Sequence, residues 1–418
     1  MNRPSWRMII CSLACSRLAS AGGFEGPGLG ARAESMGGAF IAVADDWTAI
    51  YWNPAGLSQL HGAGVGVSVD TVRVRSHDST GLANPNLPVT NQNLLRGDVF
   101  FQTGGEPSQF SGEDSSFWTP LPGIGAYASK WGFTFAAGSY APLGFSYNVS
   151  DNSQPNFAAS YESEGYILNH NFSMAREVIP GVRIGAGVNL IQARLERTAL
   201  KITPDYNYSA SSNGEGWDVQ GVFGFLVDMC PHVRAGGVYR TGQNIPLSGH
   251  ASIEDSQLPP ESSDYTQSLR NPTTYGIGLA WEPISKVTLS ADWQRTQWAP
   301  SRLDVAFEQQ GLILQNENLS LGSSNTSRYR FGTEWRPSTE WSFRAGYFRD
   351  PGAVSDPAEA LTNVVAVDQR FFTCGLSFTQ PHWRLNLGSQ YSSGHEDIGG
   401  RTLKRDNLSA LVGIDYFI

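Results

Sequence analysis

The sequence predicts an all-β membrane protein: a fourteen-stranded antiparallel transmembrane β-barrel that follows a small N-terminal helical segment. Three observations carry this expectation. From about residue 60 onward apolar and polar residues alternate with period two, as in strands with one greasy face. No apolar run approaches the roughly 20 residues a spanning helix needs. Mean hydropathy is only −0.26, which excludes a polytopic helical protein but suits barrel strands of about 9–11 alternating residues. The 46 Gly, 12 Trp, 15 Tyr and 21 Phe against 5 Met fit many strands, tight turns and interfacial aromatics.

Residues 1–21 have the three parts of an export signal: Arg3 and Arg7, the apolar stretch from Met8 to Ala14, and small residues around Ala19 and Ala21. Cleavage there removes Cys11 and Cys15 and leaves Cys230 and Cys374. The oxidising compartment would permit a bridge between them, but Cys230 falls in an expected turn and Cys374 on an expected lipid face, so both are expected to stay free.

Residues 22–60 lack strand alternation and read as short, glycine-punctuated helices, with Gly37-Gly38, Asp45-Asp46 and Asn53-Pro54-Ala55 as their marks. Asn53 is a good N-cap and Pro54 is well placed at the first helical position; Asp45 or Asp46 can cap the preceding turn. About forty residues cannot bury a core alone, so the segment needs a surrounding wall.

Residues 61–418 form the expected barrel, with strands beginning near 64, 120, 131, 164, 181, 216, 233, 273, 286, 327, 340, 369, 382 and 406. In one of the clearest, Val182, Ile184, Ala186, Val188 and Leu190 alternate with Arg183, Gly185, Gly187 and Asn189. A soluble sandwich would scatter charges over its polar face, whereas glycine-rich faces leave room for a plug or channel. Short turns such as 177–181, 229–232 and 282–286 are expected on the periplasmic side. The polar segments 76–118, 148–163, 198–215, 242–272, 299–326, 350–368 and 393–405 are expected as outer loops. The last strand alternates from Leu408 to Tyr416 and Ile418, which resembles the terminal signal read by barrel-insertion machinery.

The succession Gly30-Ala31-Arg32-Ala33-Glu34-Ser35-Met36-Gly37-Gly38-Ala39-Phe40, Ala44-Asp45-Asp46 and Asn53-Pro54-Ala55-Gly56-Leu57 resembles the plug of the FadL/TodX family of outer-membrane hydrophobic-compound transporters. Segments 180–188, 291–298 and 343–347 resemble its fifth, ninth and eleventh strands. The resemblance implies that residues 22–60 form a small N-terminal helical plug inside the lumen, and passive transport of long-chain fatty acids or aromatic hydrocarbons through this plugged barrel with a lateral wall opening. It also implies placement in the outer membrane among its lipids, as a monomer. Segments 198–215 and 242–272 depart from the apolar outer helices of better-known members. Related barrels with the same plug motif act as assembly or secretion partners, and that alternative stays open.

Three features are candidate sites. In the third strand Pro142 removes a ladder donor while Gly138 and Gly144 permit a kink; the resemblance puts a lateral portal here, though Pro142 could equally mark the strand's outer end. Arg240, Arg330 and Arg344 fall on polar faces and could receive a ligand carboxylate, or pair with Glu334, Asp292, Asp415 or the plug. No enzyme constellation is found: His170 is the one histidine well inside a strand and Ser173 points to the opposite face. No metal-ligand spacing or phosphate loop occurs, so neither metal nor cofactor is expected. A net charge of −9 without a basic cluster excludes nucleic acid.

Overall fold

The computed structural model describes residues 26, 28–78, 118–151, 158–299, 302–320, 323–353, 367–398 and 401–418. The expected signal, Cys11 and Cys15, most of segment 76–118 and most of 350–368 lie outside the described residues.

Among the described residues eighteen strands follow one another: β1 (Ala63–Asp78), β2 (Trp118–Lys130), β3 (Phe133–Asp151), β4 (Ala158–Ile179), β5 (Val182–Thr203), β6 (Tyr206–Cys230), β7 (Val233–Arg240), β8 (Gln243–Asp255), β9 (Leu258–Asn271), β10 (Thr273–Ile284), β11 (Val287–Gln297), β12 (Arg302–Phe307), β13 (Glu317–Ser320), β14 (Thr326–Trp335), β15 (Trp341–Asp350), β16 (Gln369–Thr379), β17 (Trp383–Ile398) and β18 (Arg401–Phe417). Fourteen of them close a ring. β1 to β7, β10, β11 and β14 to β18 pair in turn, all antiparallel, and β18 returns to β1 with Gly64 opposite Phe417. The remaining four are two hairpins inserted after β7 and β11. β8 lies along the upper part of β6, from Tyr208 opposite Asp255 to Glu215 opposite Ser248, and β9 pairs with β12.

Closure removes every sheet edge within the ring, which a wall in lipid requires. The outer face carries the expected apolar belt: Val65, Val67, Ile184, Val188, Phe223, Phe225, Ile277 and Leu279 are all exposed. Tight turns join strands at one end, where Gly132 and Gly181 adopt φ of +74° and +80°, values that cost glycine little.

Several segments expected as polar loops are instead strands. β5 and β6 run through 198–215, β8 and β9 occupy 242–272, β12 and β13 lie within 299–326, and β17 and β18 extend through most of 393–405. The cause is a change of solvent. In lipid the apolar side chains point outward, whereas above it β5 turns them inward, with Ile191, Ala193 and Leu195 buried directly after exposed Leu190. The alternation continues in the opposite phase, with Gln192, Arg194 and Glu196 now on the outward face.

Candidate functional site

Residues 28–60 lie within the ring and nearly all are buried. They form α1 (Ala31–Ser35), α2 (Ala49–Trp52) and a 3-10 turn (Pro54–Gln59), all too short to persist without tertiary support. The chain supplies its caps locally. Asn53 Oδ1 accepts from the Ala55 amide at 3.1 Å, with Pro54 in the first position of the turn. Asp46 Oδ1 accepts from the Thr48 amide at 2.9 Å.

The wall supplies the rest. Asn53 Nδ2 donates to the carbonyls of Ile41 at 2.9 Å and of Phe225 in β6 at 3.0 Å. Asp292 of β11 accepts from the Phe40 and Ile41 amides at 2.7 and 2.8 Å. Trp47 Nε1 donates to Asp415 of β18 at 2.9 Å, and the Gly37 amide to Thr373 of β16 at 2.9 Å. Gly37 and Gly38 adopt φ of +64° and +67°. A Cβ on Gly37 would come within 2.8 Å of the Tyr347 amide nitrogen, so this turn sits directly on the backbone of β15.

Charge crosses the same boundary. Arg32 donates to Glu334 of β14 at 3.1 and 3.2 Å, to Asp46 at 3.3 Å, and to Asp45. Burial would lower its guanidinium pKa, but the three carboxylates hold it well above the ordinary value. Burial would likewise raise Asp45, yet Arg32 beside it holds it below the usual carboxylate range. Asp46 goes the other way: burial pushes it up, Asp415 adds to this, and Arg32 opposes it only in part. Glu34 takes a hydrogen bond from Gln390 Nε2 of β17 at 2.6 Å. Burial, followed by facing Asp70 of β1, pushes its carboxyl well above the usual range.

The three candidate arginines are separated by their surroundings. Arg344 donates to Glu334 and to Ser377, both at 2.5 Å, and so belongs to the Arg32 network. Arg330 donates to Gln294 at 2.7 Å with its guanidinium 5.6 Å from the Trp52 ring centre. Arg240 lies over the Tyr51 ring at 4.8 Å and holds the Tyr51 carbonyl through Nη2, while its buried Nε has no hydrogen-bond partner among the described residues. Arg240 also lines a small cavity of about 30 Å³ with Tyr51, Tyr140, Pro142, Asn169 and Gln220.

That cavity adjoins an interruption in the wall. β2 and β3 pair from Lys130 opposite Phe133 up to Ile124 opposite Ser139, and no further. Yet β2 continues to Trp118 against β1, and β3 continues to Asp151 against β4. Ala141 and Pro142 bulge from the β3–β4 ladder, between Tyr140 opposite Asn169 and Leu143 opposite Ile167. Gly138 is still paired on both sides, with Gly125 and Asn171, and Gly144 is paired with Tyr166. A Cβ on Gly138 would meet Ile50 Cδ1 at 2.5 Å and the Ile124 carbonyl at 2.6 Å, so this glycine admits the plug. The Pro142 carbonyl turns inward and accepts from the Gly26 amide at 2.8 Å.

Two sets of residues escaped the sequence reading. Arg32 and Glu34 stand inside the plug motif, but nothing local in the sequence distinguishes a helix charge that meets solvent from one that meets a wall. The amide ladder Asn171–Asn189–Gln220, with links of 2.7 and 2.8 Å across β4, β5 and β6, joins three polar-face residues that are far apart in the chain. Their inward phase was visible; their register was not. Cys230 and Cys374 are both free and exposed.

The family model for outer membrane protein transport proteins (OMPP1/FadL/TodX) matches residues 12–397. Among solved structures, a Pseudomonas aeruginosa FadL homologue is similar over 94% of this chain and 99% of its own, at 15% identity and a TM-score of 0.71. The Pseudomonas putida toluene transporter TodX aligns over 95% and 99% at 17% identity and 0.70. The Ralstonia pickettii toluene transporter TbuX aligns over 94% and 99% at 17% and 0.68. At such identities the likeness is one of fold. No curated protein matches at the sequence level.

Proposed function

The chain belongs to the OMPP1/FadL/TodX family of outer membrane transport proteins, and from that premise we propose that it passes hydrophobic small molecules, long-chain fatty acids or aromatic hydrocarbons, by passive diffusion and releases them sideways between β2 and β3. Residues 1–21 serve as the cleaved export signal in this reading, and the end of β18 is what insertion machinery reads.

The observation that carries the proposal is the early end of β2–β3 pairing, at Ile124 and Ser139, while both strands continue against their other neighbours. A greasy molecule gains nothing by entering the aqueous periplasm, and the plug stands across that route; an exit into lipid keeps apolar surface away from water. The Pro142 bulge removes a ladder donor where pairing with β2 has already stopped. In this reading Arg240 is the arginine that meets an acidic ligand: its buried Nε lacks a partner among the described residues, beside a cavity, and a carboxylate would satisfy it. Arg330 and Arg344 hold the walls of the same lumen.

Pro122 and Ala141 would face one another if the β2–β3 register continued two residues beyond Ile124 and Ser139. In a chain with Cys230→Ser and Cys374→Ser, the pair Pro122→Cys and Ala141→Cys, bridged by a bis-maleimide, closes the wall. Uptake of a fluorescent long-chain fatty acid into proteoliposomes should then fall severalfold relative to the unbridged chain. Unchanged uptake by a fully bridged barrel would overturn the lateral exit.

A further inference from the structure

At the inner corner of the opening, on the outside of the barrel, Ser139 Oγ and His170 Nδ1 share a hydrogen bond at 2.9 Å. Ser139 is the last residue of β3 paired with β2, and His170 is its direct partner on β4. Both alternate with residues that face the lumen, so both look toward lipid. Their surroundings are apolar: Ile124 beside Ser139 is 56% exposed, Phe172 beside His170 is 63% exposed, and the Trp217 ring stacks on the imidazole with centroids 6.2 Å apart. His170 is the direct partner of Leu190, the last exposed apolar residue of β5 before its apolar side chains turn inward, so the pair stands at the margin of the lipid-facing belt, where a polar group that borders hydrocarbon is costly and points to function. A leucine or valine at either position would match the belt around it.

We propose that Ser139 and His170 form a landing site for the carboxylate of a single-chain amphiphile as it leaves through the β2–β3 opening, so that the exit favours acids over hydrocarbons. This rests on the lateral exit proposed above. The chemistry follows from the pair itself. If the serine donates to Nδ1, the imidazole Nε2–H is left as a free donor; if Nδ1 donates to the serine, the hydroxyl proton is free. In either tautomer one donor faces the lipid beside the opening, ready for an acceptor oxygen. A carboxylate supplies such an oxygen and an aromatic hydrocarbon does not. The acyl chain then lies along the Phe172 and Ile124 surface, where it joins the membrane without exposing its tail to water.

Proteoliposomes carrying the chain with Ser139→Val and His170→Leu should take up dodecanoate roughly tenfold more slowly than the unaltered chain, the size of one lost hydrogen bond to a charged group. Toluene uptake should be unchanged, and Ser139→Thr, which keeps the hydroxyl, should restore dodecanoate uptake in a His170 background. Equal loss for both compounds would mean that the pair only supports the wall, and no loss for either would remove its role; both overturn the proposal. A second reading does not depend on transport. A dodecanoate bearing a diazirine next to its carboxylate should label residues 139–141 and 168–172 in nanodiscs, and a phospholipid with the same group at its head should not. Label from the phospholipid alone would assign the site to membrane lipid and sink the exit role, whereas dodecanoate label without any uptake would leave the site standing and the transport reading failed.

Discussion

Arg32 Nε and Glu334 Oε2 lie 3.1 Å apart across 302 positions of sequence, one on the plug and one on the barrel wall, and both are almost fully buried. Glu334 is shared with Arg344, also from the wall, at 2.5 Å. The plug is therefore held by a charge network whose members come from both bodies, and its seating depends on every member being paired. Removing one partner of a buried ion pair strands the others, at a cost of about 3–5 kcal/mol.

Arg32→Met keeps most of the side-chain volume and leaves Glu334 with Arg344 while Asp45 and Asp46 lose their nearest cation. The barrel should still insert, because its ladders do not involve Arg32. Its plug should loosen, and single-channel recordings in planar bilayers should show frequent openings to small ions that the unaltered chain lacks. A quiet Arg32→Met channel would show that packing alone seats the plug.

Glu34 makes that seating depend on pH in a fixed direction. Its carboxyl is raised in the folded chain by burial and by Asp70, so the neutral form is the one that fits. A raised pKa contributes stability that is fully present below the unfolded value of about 4.3 and is lost as pH rises through the folded value. Gln390 keeps its hydrogen bond to a glutamine carbonyl, so Glu34→Gln should hold the plug at all pH values. Melting temperature against pH should fall on the alkaline side for the unaltered chain and be flatter for Glu34→Gln; parallel curves would remove Glu34 from the account.

Much of the ring could be read from the sequence, because lipid imposes one rule on all fourteen strands: bulky apolar side chains outward, small or polar ones inward. Val182 to Leu190 obeys it without exception. The plug motif was equally visible. What stayed hidden was everything above the membrane, where the rule reverses. Ile245 and Leu247 point inward with 0% exposure, while Asn244 and Ser248 beside them alternate the other way. Serine, glycine and Pro246 then resemble a loop. The site was hidden for a second reason: Asn189 meets Gln220, and Ser139 meets His170, only through register, which alternation does not specify between chain-distant residues.

Asn53 separates a cap from an anchor. At an exposed helix start aspartate replaces asparagine with little loss. Here the Oδ1 bond to Ala55 caps the 3-10 turn, but Nδ2 donates to two carbonyls, one of them Phe225 in the wall. Asn53→Asp keeps the cap, loses both donors and sets a carboxylate against two carbonyl oxygens in a buried site. It should therefore destabilise at least as much as Asn53→Ala, by about 2–4 kcal/mol, read as increased protease sensitivity of the plug. An aspartate variant as resistant as the unaltered chain would reduce Asn53 to a cap.

The hairpin of β8 and β9 is seated on the upper wall through its ladders and a small apolar cluster. Ile245 and Leu247 pack with Ile191, Leu195 and Trp298, an apolar attachment that adds to the hairpin's ladders to β6 and β12 and to the Tyr265–Phe307 contact. Leu247→Ala should weaken it by about 2–5 kcal/mol. Leu247→Asp should do more, since an unpaired charge cannot stay among these side chains, and the cheapest response is for the hairpin to lift rather than for the ring to open. The fourteen ring strands do not need β8 for closure, so insertion should be unaffected. Lifting would present Arg270, at the end of β9, to trypsin added outside intact cells. Cleavage should be slow for the unaltered chain, faster for Leu247→Ala and fastest for Leu247→Asp, with the ring itself intact. If all three resist equally, the hairpin is held by its backbone ladders and the apolar cluster is not what keeps it seated.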